Sequence, residues 1–155
     1  MTKSGKYLVY VSTSESSRVA MYFACKKAVK SGSSVELLNV ISPSDMQNLF
    51  GVGSKMREEQ RQDAEILVKS LSEAAFQYSG ITPSTLIREG RINEEIINAA
   101  LEDTNVNMVV AGISAQSNDE GSLINLLVEK LGDRLLVPLM LVPGNLTDLQ
   151  IDELS

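Results

Sequence analysis

The chain has 155 residues, of which 43% are hydrophobic and 22% charged, with a formal net charge of −6. This length and mix suit a single globular domain with a sizeable core, and the acidic balance argues against non-specific binding to nucleic acid or an anionic membrane, which needs a basic face. Histidine is absent, which removes Ser-His-Asp and Cys-His catalysis and most transition-metal sites.

The single cysteine, Cys25, permits neither an intrachain disulfide nor a CxxC site, so a reducing compartment is the natural setting. Met1 to Lys6 is short, and the apolar run behind it, Tyr7 to Val11, falls well below the ~20 residues of a membrane span. A cytoplasmic protein without membrane insertion is expected.

Tyr7-Leu8-Val9-Tyr10-Val11 reads as a strand buried on both faces, as in parallel sheets. Ser12-Thr13-Ser14-Glu15-Ser16-Ser17 offers several N-caps for a helix running to about Lys30, with Val19, Ala20, Phe23, Ala24 and Ala28 inward and Ser31-Gly32 ending it. Cys25 on this helix reads as a buried, inert thiol. Val35 to Ile41 is a second strand, broken by Ser42-Pro43. Asp45 to Gly53 is irregular, and with Leu49 and Phe50 it suggests a flap or a partner contact. A long helix from about Ser54 to Tyr78 keeps Ala64, Leu67, Val68, Leu71 and Ala75 at helical spacing. Its charged start, Lys55 to Arg61, reads as a solvated face, and Asp63 and Glu65 lack a partner acid for acid–base work.

Ser84 to Glu89 is a third strand ended by Gly90, and Glu94 to Glu102 a short helix carrying Ile96, Ile97 and Ala100. Val106 to Ala111 is a fourth strand, followed by a helix from about Ser122 to Leu135 with Leu123, Leu127 and Leu131 inward. Leu139-Met140-Leu141-Val142 is the fifth strand. No linker divides the chain, so residues 1–155 are expected to form one domain with 144–155 as a tail. Thr147-Asp148-Leu149-Gln150 fits a capping box, and the tail is expected to pack on the domain surface or across a dimer. The alternating order predicts an α/β fold: a parallel sheet with helices on both faces, right-handed crossovers, and ligands beyond the strand C-termini.

One stretch carries a chemical signal. Strand Val106 to Ala111 ends on Gly112, and a polar loop leads into an apolar helix, the unit that holds phosphates against backbone N–H groups and a helix N-terminus. The loop has no Lys or Arg and carries Asp119 and Glu120.

Leu8-Val9-Tyr10-Val11-Ser12-Thr13-Ser14, Leu37 to Ile41, Arg88-Glu89-Gly90, Met108 to Gly112 and Val137 to Val142, in this order and spacing, resemble the universal stress protein family over nearly the whole chain. The resemblance implies a five-stranded parallel sheet of order 3-2-1-4-5. It also implies a homodimer, often paired through the last strand, here Leu139, Met140, Leu141 and Val142. ATP-binding members carry Gly-x-x-Gly, nine residues, then Gly and Ser or Thr. Without gaps that pattern falls on Gly112, Ala115, Asn125 and Leu126, and only Gly112 matches. The family's strand-one Asp falls on Ser12, and its adenine-contacting position on Val40. A shortened loop would instead use Gly121-Ser122, at the expense of the apolar register of Leu127 and Leu131.

These departures weaken a phosphate site. Ala115 forfeits positive φ at about 1–2 kcal/mol where that conformation is needed. Leu126 offers no hydroxyl, and losing two hydrogen bonds to a charged group costs about 3–6 kcal/mol, or about 100-fold to over 10,000-fold in affinity. The resemblance therefore implies a non-enzymatic stress-response regulator, a homodimer acting through a protein partner, with no catalytic residues, metal or tightly bound cofactor. The alternative is an ATP- or AMP-binding regulatory module using Ser12, Thr13, Val40, Gly112, Gly121 and Ser122.

Overall fold

The structure, a computed structural model, describes residues 5–42, 53–114 and 134–155. The irregular segment before the long helix, the polar loop after Ser114 and most of the helix expected over 122–135 lie outside them.

The described elements are β1 (Lys6–Tyr10), α1 (Glu15–Ser31), β2 (Ser34–Ile41), α2 (Gly53–Ser79), β3 (Ser84–Glu89), α3 (Ile92–Glu102), β4 (Val106–Ile113), β5 (Leu139–Pro143) and α4 (Asp148–Leu154). The strands form one five-stranded sheet in the order β3-β2-β1-β4-β5. Every pairing is parallel, with Val9 opposite Leu37 on one side and Val110 on the other. This is the predicted α/β architecture in the predicted strand order.

Period-2 alternation divides the core. Val9, Leu37 and Val110 face α1 and α2, together with Phe23, Val68, Leu71 and Val142. Leu8, Leu38 and Val109 face the other way, onto Ile96, Ile97 and Leu135. Leu8, Val9, Leu37, Leu38, Val109 and Val110 are each at most 1% exposed, as expected for strands covered on both faces. Cys25 is fully buried on α1 as expected, and the helix is more deeply set than its predicted stripe, since Met21 is fully buried as well.

Boundaries shift where polar ends find partners. β1 begins at Lys6, whose ammonium donates to Asp103 Oδ2 at 2.7 Å and lies 3.9 Å from Glu36. The Asp103 bond raises the Lys6 pKa above its ordinary value against the opposing effect of burial. β4 runs on to Ile113 because Gly144 N donates to Ile113 O at 2.8 Å. Helix α1 ends at Gly32, which takes a left-handed φ of 74° and returns its N–H to Ala28 O, a conformation glycine adopts without penalty.

Candidate functional site

The pairing of β1 with β4 brings the loop after Tyr10 beside the end of β4, Gly112 to Ser114, at the C-terminal end of the sheet. Ligands of doubly wound sheets bind at this reversal of strand order. Of the residues singled out from the sequence, Ser12, Thr13, Val40 and Gly112 are described here. Ala115, Gly121, Ser122, Asn125 and Leu126 lie outside the described residues.

Ser12, Ser14 and Ser17 form a closed hydroxyl ring. Their oxygens are 3.0 Å (12–14), 3.2 Å (14–17) and 3.1 Å (17–12) apart. Ser12 donates to Ser14 and Ser14 to Ser17, and since each hydroxyl carries one proton the ring is closed by Ser17 donating to Ser12. Ser16 then donates to Ser14 Oγ at 3.1 Å. Backbone donors fill the remaining acceptor sites of Ser12 and Ser17, while Ser14 Oγ, already accepting from Ser12 and Ser16, shares a lone pair with a third, longer contact. Ser14 N–H donates to Ser12 Oγ at 3.2 Å, Ser12 N–H to Ser17 Oγ at 2.9 Å, and Ser17 N–H to the N-cap Ser14 Oγ at 3.4 Å. Both lone pairs of Ser12 Oγ and of Ser17 Oγ are thus engaged within the loop. Asn39, itself buried, pins the loop by donating from Nδ2 to Val11 O at 2.8 Å.

Gly112 meets this loop from β4. A methyl group on Gly112 would overlap the Ser16 carbonyl oxygen and lie 2.6 Å from its carbon. One on Gly144 would lie 2.7 Å from Ser16 Cβ and 3.0 Å from Ile113 O. Ser16, 4% exposed, is therefore held between the ends of β4 and β5 by two positions that admit no side chain. Among the described residues positive φ occurs at Gly32, Gly80 and Gly90, not at Gly112. Glycine at 112 is thus accounted for by the close approach of α1 to the strand. Sequence reasoning found Gly112 and placed Ser16 and Ser17 in a capping stretch without their packing role, and it missed Asn39 and Gly144. The one available signal was a small residue in the first turn of a helix that must cross the sheet.

The other positions differ in kind. Thr13 is exposed on the loop. Val40 is 7% exposed, packs in the α3-side core and stands opposite Arg88 in the β2–β3 register. Arg88 donates to Glu95 Oε1 at 2.9 Å and, with both terminal nitrogens, to Glu102 at 2.6 and 3.1 Å. These bonds, that to Glu102 foremost, raise the Arg88 pKa, and the same bond holds the Glu102 carboxyl below its usual range. Arg134 pairs with Glu94 and donates to Asn98 Oδ1 at 3.0 Å. Both guanidinium groups are thus engaged in tying α3 to its neighbours. On β5, Leu139 packs toward α3 and Met140 toward α1, while Val142 is 1% exposed in the core. Val142 can therefore contribute only backbone to any contact along that edge.

Among the described residues no cluster of His, Cys, Asp and Glu could hold a metal ion. No helix among them is long and apolar enough to cross a membrane.

No curated protein sequence matches the chain. Solved structures do. The universal stress protein UspA from Lactobacillus plantarum superposes with a TM-score of 0.74 at 14% identity, covering 92% of this chain and 99% of that one. The universal stress protein from Archaeoglobus fulgidus, solved in complex with dAMP, gives 0.65 at 14% identity, again covering 92% and 99%. A universal stress protein solved in complex with cAMP gives 0.64 at 14% identity over 91% of this chain and 98% of that one. At such identities these likenesses establish the fold. The sequence profile of the universal stress protein family matches residues 4–143, and the chain belongs to that family.

Proposed function

We propose that this chain is a non-enzymatic stress-response regulator of the cytoplasm, a homodimer acting through a protein partner, and that it does not bind ATP tightly. The closed hydroxyl ring of Ser12, Ser14 and Ser17 carries this reading. The family's ATP-binding members, as the resemblance implies, place a carboxylate at position 12. Here that position holds a hydroxyl whose acceptor sites are already filled. A ribose hydroxyl could bind only by opening the ring. The sequence beyond Ser114 adds no cation before Lys130 and contributes Asp119 and Glu120, whose charge opposes that of a triphosphate.

A second reading is favoured by two of the fold relatives, solved in complex with cAMP and with dAMP. A monophosphate carries less charge into an acidic loop than ATP does, so an AMP-type ligand is the alternative occupant of this crevice.

Calorimetric titration with ATP, AMP and cAMP, together with analysis of the purified protein for retained nucleotide, separates the two. The proposal expects no saturable ATP binding below about 1 mM, some 4 kcal/mol of binding free energy. Micromolar ATP affinity that is lost in Ser122→Ala would overturn it, whereas saturable cAMP or AMP binding alone would install the second reading. Nucleotide turnover above that of heat-treated protein would overturn the non-enzymatic assignment.

A further inference from the structure

The family match ends at residue 143, and residues 144–155 add an element of their own. Thr147 caps α4 with a complete capping box, its side chain accepting from Gln150 N–H while Gln150 Oε1 accepts from Thr147 N–H at 2.9 Å. Ile151 is the one α4 residue that enters the core, 1% exposed, and Leu146 packs beside it.

The surface beneath α4 is basic and aromatic. Tyr22, Lys26 and Lys30 recur every four residues along α1, which puts them on one stripe. Lys26 lies 3.5 Å from Asp152 Oδ1 and 5.1 Å from the centre of the Tyr78 ring, which stacks on Tyr22 at 4.2 Å. Lys30 donates to Asp152 O at 2.9 Å and to Ser155 Oγ at 3.2 Å. The tail itself carries Asp148, Asp152 and Glu153. In a chain of net charge −6, this is a basic stripe matched to an acidic helix.

The attachment is slender. One buried isoleucine, the half-buried Leu146, one cap, the Gly144–Ile113 backbone bond and polar contacts open to solvent must offset the ordering of the whole tail. Segments held by so few buried contacts open without global unfolding. When α4 leaves, an apolar slot flanked by Lys26, Lys30 and two stacked tyrosines is exposed.

We propose that this face of α1 is a docking groove for a short acidic amphipathic helix of a partner protein, and that α4 is its intramolecular occupant, displaced when the partner binds. The pattern to be recognised is that of Asp148, Ile151 and Asp152: an aliphatic residue followed by an acid, with a second acid one turn earlier. A partner helix competes with the tail, so its apparent affinity is reduced by the fraction of chains in which α4 is docked.

A fluorescent peptide of sequence 144–155, titrated against the full-length chain by anisotropy, tests the groove. Ile151→Asp in the full-length chain removes the resident anchor, and the peptide is expected to bind this variant about tenfold or more tighter than wild type. Adding Lys26→Glu and Lys30→Glu should abolish that binding. Failure of the folded Ile151→Asp variant to bind peptide overturns the proposal, as does capture of a second copy of the chain in place of the peptide. Hydrogen exchange on the wild-type chain decides independently should that variant unfold. The Ile151 and Ser155 amides should exchange about 100-fold faster than those of Val9 and Val110, and faster still at high salt. Exchange of tail and sheet at one common rate would make α4 a fixed part of the domain and overturn the proposal.

Discussion

Gly112 and Cys25 show how single positions divide between ligand chemistry and packing. Gly112 occupies the family's phosphate-loop position, yet its lack of a side chain is already required by the Ser16 carbonyl beside it. Gly112→Ala forces apart two backbone segments rather than a flexible side-chain end, and should cost about 1–3 kcal/mol by chemical denaturation. Gly32→Ala is the contrast: its added methyl meets nothing within 4 Å, and its cost, about 1–2 kcal/mol, comes from the φ of 74° alone. A Gly112→Ala protein as stable as wild type would refute the close packing of α1 on β4. Cys25 tests the core beneath. Burial pushes its thiol from 9.0 up to about 11, against a smaller opposite effect of the Ser79 hydroxyl. A raised folded pKa means the native state holds the proton more tightly. The associated stability is therefore complete below pH 9 and is lost as pH climbs toward 11. A rise of this size corresponds to about 2–3 kcal/mol. The raised pKa values of Lys6 and Tyr78 act in the same direction, so the thiol's share is the part of the pH 8-to-11 loss that Cys25→Ala removes. Equal losses in the two proteins would show that Cys25 is not buried in this way.

Among the elements, α3 is attached by charge as well as by Ile96 and Ile97. Arg88 on β3 reaches Glu95, its shielded partner, and Glu102, its exposed one. Arg88→Leu leaves Glu95 beside a leucine and should cost about 1–2 kcal/mol, whereas Glu102→Gln, at a solvated position, should fall within about 0.5 kcal/mol of wild type. If thermal melts rank the two the other way, the attachment runs through Glu102. This network shows what was legible in the sequence. The elements and their order could be read because runs such as Val35 to Ile41 and stripes such as Val68, Leu71 and Ala75 are local patterns of period 2 and 3.6. The neighbouring placement of Ser12 and Gly112 followed from strand order alone. The filling of the space between them was not legible. Ser16 meets Gly112 and Gly144 across long stretches of chain, and no local pattern marks a buried serine as a spacer. The closing of the hydroxyl ring likewise depends on oxygen positions to a few tenths of an ångström. Arg88, quoted only as part of a family segment, has its role set by α3 residues 7 and 14 positions further along the chain. The tail was partly legible, because a capping box is written within four residues, while its seat on α1 depends on Tyr78 and the lysines of a distant helix.

For the whole molecule the open question is what meets the edges of the sheet. Among the described residues β3 and β5 are its two outer strands, and an outer strand offers backbone groups that a neighbouring chain could use. The edges differ in composition: β3 carries Ser84, Thr85, Arg88 and Glu89, whereas β5 is Leu139, Met140, Leu141, Val142 and Pro143. Charged side chains discourage edge pairing, and an aliphatic edge invites it, so the proposed homodimer is expected to pair through β5. Val142 is turned into the core, which leaves Leu141, half-buried on the free strand, as the residue best placed to test the contact. Two copies each of charge −6 also repel at long range, and added salt screens that repulsion. The expected outcome is therefore specific in both composition and ionic strength. Light scattering should report a dimer at concentrations on the order of tens of micromolar, corresponding to at least about 6–7 kcal/mol of association free energy. That dimer should tighten from low to moderate salt and fall to monomer in Leu141→Lys, with the circular dichroism spectrum unchanged. A wild-type monomer at these concentrations would contradict the homodimer. A dimer that survives Leu141→Lys but dissociates on Thr85→Lys would move the interface to the opposite edge of the sheet, beside the groove between α2 and β3 lined by Arg61, Lys69, Ser72 and Thr85.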